Sequence, residues 1–180
     1  MADHRKASAS SWPRRIGLGL ALITLLVYLP VRHNSFVRLD DADYVAANPM
    51  VQAGLSWSGI VWAFTTYHAN NWHPLTWLSH MLDWQLFGPY AGAHHLVSVL
   101  FHIVNTVLWC FFWYRATRTI WPAAVIAALF AWHPLHVESV AWAAERKDVL
   151  STLFFILTLI AYHRYARDRS DLTPPKLTSL

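Results

Sequence analysis

The sequence predicts an all-α integral membrane protein with about four transmembrane helices and two amphipathic helices in the first outer loop. Composition is the first reason: 56% of residues are hydrophobic and 13% charged, whereas soluble domains carry about 25% charged residues. The second is a set of apolar runs that each approach the ~20 residues needed to cross hydrocarbon as a helix. The third is the grouping of Lys and Arg at the ends of those runs, which suits membrane orientation rather than nucleic-acid binding despite the net charge of +4. The single cysteine, Cys110, lies within an apolar run, so a packing role is expected and a disulfide framework is excluded.

The expected spans are Trp12 to Val31, Ala93 to Tyr114, Ile120 to Val137, and Val149 to Tyr162 with its flanks. The first could pass for a signal peptide after Arg14 and Arg15, but bulky Leu29-Pro30-Val31-Arg32 offers no cleavage site, so a retained anchor is expected. The third carries Pro122 near its start, where proline is tolerated, and Pro134 near its end, where the helix should stop or kink. Basic residues Arg5, Lys6, Arg14 and Arg15, then Arg115 and Arg118, then Arg164, Arg167 and Arg169 should all be cytoplasmic. Residues 1–15 then form a cytoplasmic N-terminus, 16–167 the membrane domain with an outer loop over 32–92, and 168–180 a polar cytoplasmic tail. The outer loop faces the outside or a lumen, and a bacterial inner membrane is preferred to the endoplasmic reticulum.

Within that loop, Trp57, Trp62, Trp72, Trp77 and Trp84 favour the lipid–water interface. One short helix should begin near Ser56 or Ser58 and end before His68. A second should run from Pro74 to Gly88, with Leu75, Leu78, Leu82 and Leu86 on one face and Thr76, His80 and Asp83 on another, lying on the membrane. The tetrapeptide Trp-His-Pro-Leu, at Trp72 to Leu75 and at Trp132 to Leu135, reads as a proline at a helix boundary beside an anchoring Trp.

Chemistry concentrates in the two outer loops. Asp40, Asp41 and Asp43 fall within four positions beside the first span. Such a cluster can supply a general base or oxygen ligands for a divalent ion, and it can equally be a solvated turn. Between the third and fourth spans stand Glu138 and the run Glu145-Arg146-Lys147-Asp148. Arg146 and Lys147 oppose the charge bias of the rest of the chain. They could grip a lipid-linked phosphate, although local neutralisation by Glu145 and Asp148 is the preferred plain account. His95, Ser98, His102 and Asn105 form a polar stripe along the second span. Inter-helix hydrogen bonding is expected of His102 and Asn105, while His95 is left open between that and a substrate cavity. Zinc held by His133, His136 and Glu138, or haem held by two histidines, is weakly supported.

The strings LDDADYVAANPMVQAGLSW, NWHPLTWLSHMLDWQLFG and HPLHVESVAWAAERKDVLST, with the closing AYHRYA, lie between Asp40 and about Ala166, about two thirds of the chain. This stretch resembles the N-terminal membrane region of the transmembrane and tetratricopeptide-repeat proteins. The resemblance implies a partial GT-C glycosyltransferase architecture. It also implies transfer of a sugar, expected to be mannose, from a polyprenyl-phosphate donor to a protein hydroxyl on the outer or lumenal side. Carried onto this sequence, it implies catalytic Asp41 and Asp40, with Asp41 first, and carrier-phosphate binding near Arg146 and Lys147. Asp43, Glu138, His95, His73 and His133 are the supporting or cavity residues. The implied partners are that donor, a protein acceptor and the lipid bilayer, with no nucleic acid; the candidate cofactor is a divalent metal. The family continues into further membrane helices and repeats of about 34 residues, whereas this chain ends at Leu180, so a truncated member is expected. The rival expectation is a non-catalytic membrane assembly module or relic of such an enzyme.

Overall fold

The computed structural model describes residues 12–172, with side chains described to Arg169; it is built from helices and turns. Helix α1 (Trp12–Tyr28) passes into a 3-10 turn, Leu29–His33, entered at Pro30. The outer loop follows with a π turn at Ala42–Ala46 and short helix α2 (Pro49–Gln52). Asn48 starts α2 by accepting the Met50 and Val51 amides on Oδ1, which satisfies donors a helix start leaves free. Helix α3 (Trp57–Thr65) is capped by Ser56, whose Oγ accepts the Gly59 amide; Ser58 already lies on the helix. Helix α4 (Pro74–Phe87) ends at Gly88, whose φ of 58° reverses the chain.

The expected second span is helix α5 (Ala91–Thr117), closed by Arg118 in the left-handed region. The expected third is helix α6 (Ile120–Trp132), and the chain then bends by 50° into Pro134–Ala141, where a 3-10 turn leads to short helix α7 (Val137–Ala141). Pro134 is at that bend, as its missing amide and ring clash require. Helix α8 (Arg146–Leu172) begins earlier than expected and continues into the segment read as a polar tail. Helices α1 with its turn, α5 and α8 are long and apolar enough to cross a membrane, and the bent α6–α7 pair is a candidate fourth span.

Helix α5 is the axis of the bundle, with α1, α6 and α8 all packed on it. Leu20, Cys110, Ala123 and Ala127 form one buried cluster, the packing role expected of Cys110. Ala123, Ala127 and Ala131 recur every four residues and are all buried, small side chains that let helices approach closely in lipid. A second cluster joins Tyr28 and Val31 to Val99, Val140 and Val149. His102 Nε2 lies 2.9 Å from the Ala131 carbonyl, and Asn105 Nδ2 donates to the Val149 carbonyl at 2.8 Å. Both residues therefore do the inter-helix work expected of them.

These pairings also give helix direction. Leu20 packs near Cys110, Tyr28 on His102, and Arg32 beside Gly92, so α1 and α5 are antiparallel. Arg146 meets Ser98 and His163 meets Phe112, so α8 runs parallel to α5. Arg115 and Arg118 thus share one end of the bundle with Arg164 and Trp12, and both outer loops gather at the other. Gly92 lies where α5 meets the turn after α1. A Cβ there would overlap the Arg32 carbonyl, a backbone atom that cannot swing aside. Gly92→Ala is expected to lower the thermal unfolding midpoint of the detergent-solubilised chain by several degrees, whereas Gly19→Ala, with open space around it, should leave it unchanged or raise it.

The two faces expected of α4 are present, and the structure shows what the polar one meets. That face, with Thr76, His80 and Asp83, is buried together with Trp77 and Met81, while Leu75, Leu82 and Leu86 are exposed. The helix is amphipathic, but it turns its polar side into the protein because Arg146 waits there. Its leucines are left for lipid.

Candidate functional site

The acidic cluster divides into three environments. Asp41 is fully buried: Oδ2 accepts the Val37 amide and Oδ1 the Ala144 amide, each at 2.8 Å. The second bond ties the first outer loop to the junction of α7 and α8, across 103 residues of sequence. Asp40 and Asp43 are exposed. Asp43 contributes its carbonyl, which accepts from Asn48 Nδ2 at 3.1 Å and lies 3.0 Å from His68 Nε2. Asp41 therefore differs from Asp40 in accessibility. Both its oxygens are engaged inside the protein, while its neighbour Asp40 faces outward.

Beside Asp40, Tyr44 packs over Trp77 with ring centroids 4.8 Å apart, and its hydroxyl accepts from Asn71 Nδ2 at 2.9 Å. Burial raises the Tyr44 phenol above its ordinary range; Lys147 opposes that shift, and the charges of Asp40 and Glu145 add to it. Lys147 Nζ sits 5.7 Å from the Tyr44 ring centroid and 2.7 Å from Glu145 Oε1. His73 lies against Tyr44 and Trp77, at 5.3 and 4.7 Å between ring centroids. His73, Glu145 and Lys147 thus gather around the buried Tyr44 at the loop end of the bundle, and the exposed Asp40 lies near enough for its charge to act on the Tyr44 phenol.

Burial, reinforced by Lys147, lowers the His73 pKa to about 4. In the unfolded chain the ring titrates near 6.5, so between these values the unfolded state binds more protons and stability falls as the pH is lowered. Lys147 is the charged group acting on His73, and the Tyr44 and Trp77 rings pack against it. Thermal unfolding between pH 6.5 and 4 should accordingly show a smaller acid loss in His73→Gln than in the parent chain. Parallel profiles would remove His73 from the account.

Arg146 faces inward. It is fully buried, and its guanidinium donates to Asp83 Oδ2, to Ser79 Oγ at 3.1 Å, to Ser98 Oγ at 3.2 Å and to the His94 carbonyl at 2.5 Å. These donors bind α4 and α5 to the start of α8. The plain alternative had the wrong partner, since Asp83 neutralises Arg146, while Glu145 pairs with Lys147 and Asp148 accepts from Ser139. Burial raises the Asp83 carboxyl, and Arg146 opposes that shift.

His95 is buried beneath the acidic loop, close enough to Asp41 to feel its charge and 6.1 Å from the Phe36 ring. Glu138 and His133 are exposed on the α6–α7 bend, where His133 Nδ1 accepts the Leu135 amide at 3.3 Å; they do not join the group around Tyr44. On the flank of that bend an open cleft of about 260 Å³ is lined by His102, Asn105, His136, Ser139 and Asp148, among others. Among the described residues the cluster able to bring three metal-binding atoms together is His80, Asp83 and His94. Neither the acidic loop nor the His133–Glu138 segment forms such a cluster. Asp83 was the important omission from the sequence reading; its signal was a lone carboxylate in an apolar helix, matched by a lone arginine opposing the charge bias.

No family model matches the chain, and no solved structure matches it. Curated relatives do. The chain is similar to mouse protein O-mannosyl-transferase TMTC1, 34% identical over 176 residues, covering 91% of this chain and 18% of the relative. It is 31% identical over 170 residues to Drosophila melanogaster protein O-mannosyl-transferase Tmtc2, covering 88% and 18%. Human TMTC1, bearing the same description, is 32% identical over 158 residues, covering 81% and 17%. The chain therefore spans less than a fifth of the length of these relatives. Similarity along nearly all of this bundle, at these identities, makes the chain a member of the transmembrane and tetratricopeptide-repeat family.

Proposed function

We propose that this chain supplies part of the reaction centre of a GT-C type membrane glycosyltransferase, which moves mannose from a polyprenyl-phosphate carrier to a protein hydroxyl. The carrying observation is the bond from Asp41 to the Ala144 amide. It holds the two outer loops together, so that Asp40 and Lys147, distant in sequence, both act on Tyr44. The relatives' description as protein O-mannosyl-transferases supports the sugar and the protein acceptor.

In this mechanism the Asp40 carboxylate takes the proton of the acceptor hydroxyl as its oxygen attacks the anomeric carbon. The bond from that carbon to the phosphate oxygen breaks, with inversion, and the phosphate leaves with the lipid. Lys147 meets the charge that develops on it. Asp41 acts as a positioning residue. A neutral His73, next to the ammonium, leaves Lys147 as the principal cation beside Tyr44. The collection of basic residues at the opposite end supports a cytoplasmic assignment for that end and an outer or lumenal one for the site. The relatives compared are animal proteins, so the preference for a bacterial inner membrane has no support among them.

The test uses a full-length family member altered at the positions aligned with Asp40 and Lys147. Asp40→Asn should reduce transfer by about 100-fold or more, the scale of a lost general base, while carrier binding persists. Lys147→Ala should raise the KM for the carrier more than it lowers kcat. Normal transfer by Asp40→Asn overturns the assignment.

A further inference from the structure

We propose that His80, Asp83 and His94 form a binding site for a divalent transition-metal ion of the zinc class, placed where α4 turns into α5. His80 and Asp83 are three residues apart on α4 and so share a face. The reversal at Gly88 brings the first turn of α5, with His94, back over that face. One nitrogen or oxygen from each residue lies within 4.8 Å of the others, and all three residues are buried.

Hydrogen bonding argues for a cation. His94 Nε2 lies 2.9 Å from the Gly88 carbonyl, which can only accept, so this nitrogen carries the proton. In the neutral ring Nδ1 then presents a lone pair, and what it faces at 3.7 Å is Oδ2 of the Asp83 carboxylate, another acceptor. Nδ1 has no hydrogen-bond partner. His80 is fully buried, and neither of its nitrogens has one. Buried polar groups are normally satisfied; Asp83 Oδ2 has the Arg146 guanidinium, but the lone pairs of His94 Nδ1 and of one His80 nitrogen have no donor, and an ion would satisfy both. A histidine whose second nitrogen donates to a backbone carbonyl is the usual form of a metal-bound imidazole. Two imidazoles and a carboxylate suit zinc-class ions better than calcium or magnesium.

Arg146, which donates to Asp83, orients the carboxylate and also opposes a second positive charge. The ion is therefore held less tightly than in a closed structural zinc site, and it can exchange. Its effect is to fasten α4, the helix beneath Tyr44 and His73, to the axial helix α5. The site stands independently of the glycosyltransfer reading.

The test is titration of the purified full chain in detergent with Co2+, whose d–d absorption reports coordination. The expected result is one equivalent of Co2+ with visible bands, displaced by Zn2+, and at least about tenfold weaker binding in His80→Gln and in His94→Gln. His133→Gln, on the exposed bend, should bind as the parent does. Absence of the bands, or bands that persist in both variants, overturns the proposal. If a variant is unfolded by circular dichroism, paramagnetic shifts in the parent chain decide. Shifts centred on the His80 and His94 rings support the site, and shifts centred on other histidines overturn it.

Discussion

Arg146→Met is expected to destabilise the folded chain by about 3–5 kcal/mol, because it leaves the Asp83 carboxylate buried beside an apolar side chain. The same change also removes the donors that hold Ser79, Ser98 and the His94 carbonyl. Arg146→Lys should recover only part of the loss, since an ammonium cannot reproduce a planar fork reaching four acceptors on two helices. The informative variant is the double one. Replacing both members by apolar residues, Arg146→Met with Asp83→Leu, removes the stranded charge and should be substantially more stable than Arg146→Met alone. Chemical unfolding in detergent, followed by tryptophan fluorescence, measures these three and the Asp83→Leu single. If the double variant is as unstable as the sum of its singles, the ion pair is not the organising contact described.

Asp41→Ala is the second large effect, expected at about 3 kcal/mol from two hydrogen bonds to a charged acceptor. Its pattern distinguishes a positioning residue from a reacting one. In a full-length family member, the alteration aligned with Asp41 should lower the unfolding midpoint and transfer together. The one aligned with Asp40, an exposed residue, should lower transfer at unchanged stability. Asp41→Asn keeps one carbonyl oxygen and should fall between Asp41→Ala and the parent in stability. Should Asp41→Asn match the parent in stability but abolish transfer, the two carboxylates would have to exchange roles.

Much of the scaffold was readable residue by residue because its causes are local. Ser56 caps a helix with its own side chain, Pro134 bends the chain where its ring forbids helix, and Gly88 takes a positive φ. The span lengths follow from apolar runs that needed no partner to be recognised. The facing of α4 could not be read in this way. Its leucine stripe has helical spacing, but periodicity does not say which face packs on protein, and here the polar face does so, against Arg146.

The candidate site shows the same division. Sequence pointed to the acidic loop and to the Glu145–Asp148 run as places of chemistry, from charge beside a membrane and from arginine opposing the charge bias. It could not say which carboxylate is open, because Asp40 and Asp41 are identical in type and adjacent. Only the approach of Ala144 to Asp41 separates them.

What the sequence alone determined was the class of protein, its helices and the two loops that carry charge, since these depend on hydropathy and on residues close along the chain. What tertiary structure decided was the placement of the side chains within those loops. Arg146 became an internal fastener, Lys147 stayed accessible, and His80, Asp83 and His94 came together across a turn. Each outcome depends on burial and on partners tens of residues away, and those are properties of packing that no local pattern encodes.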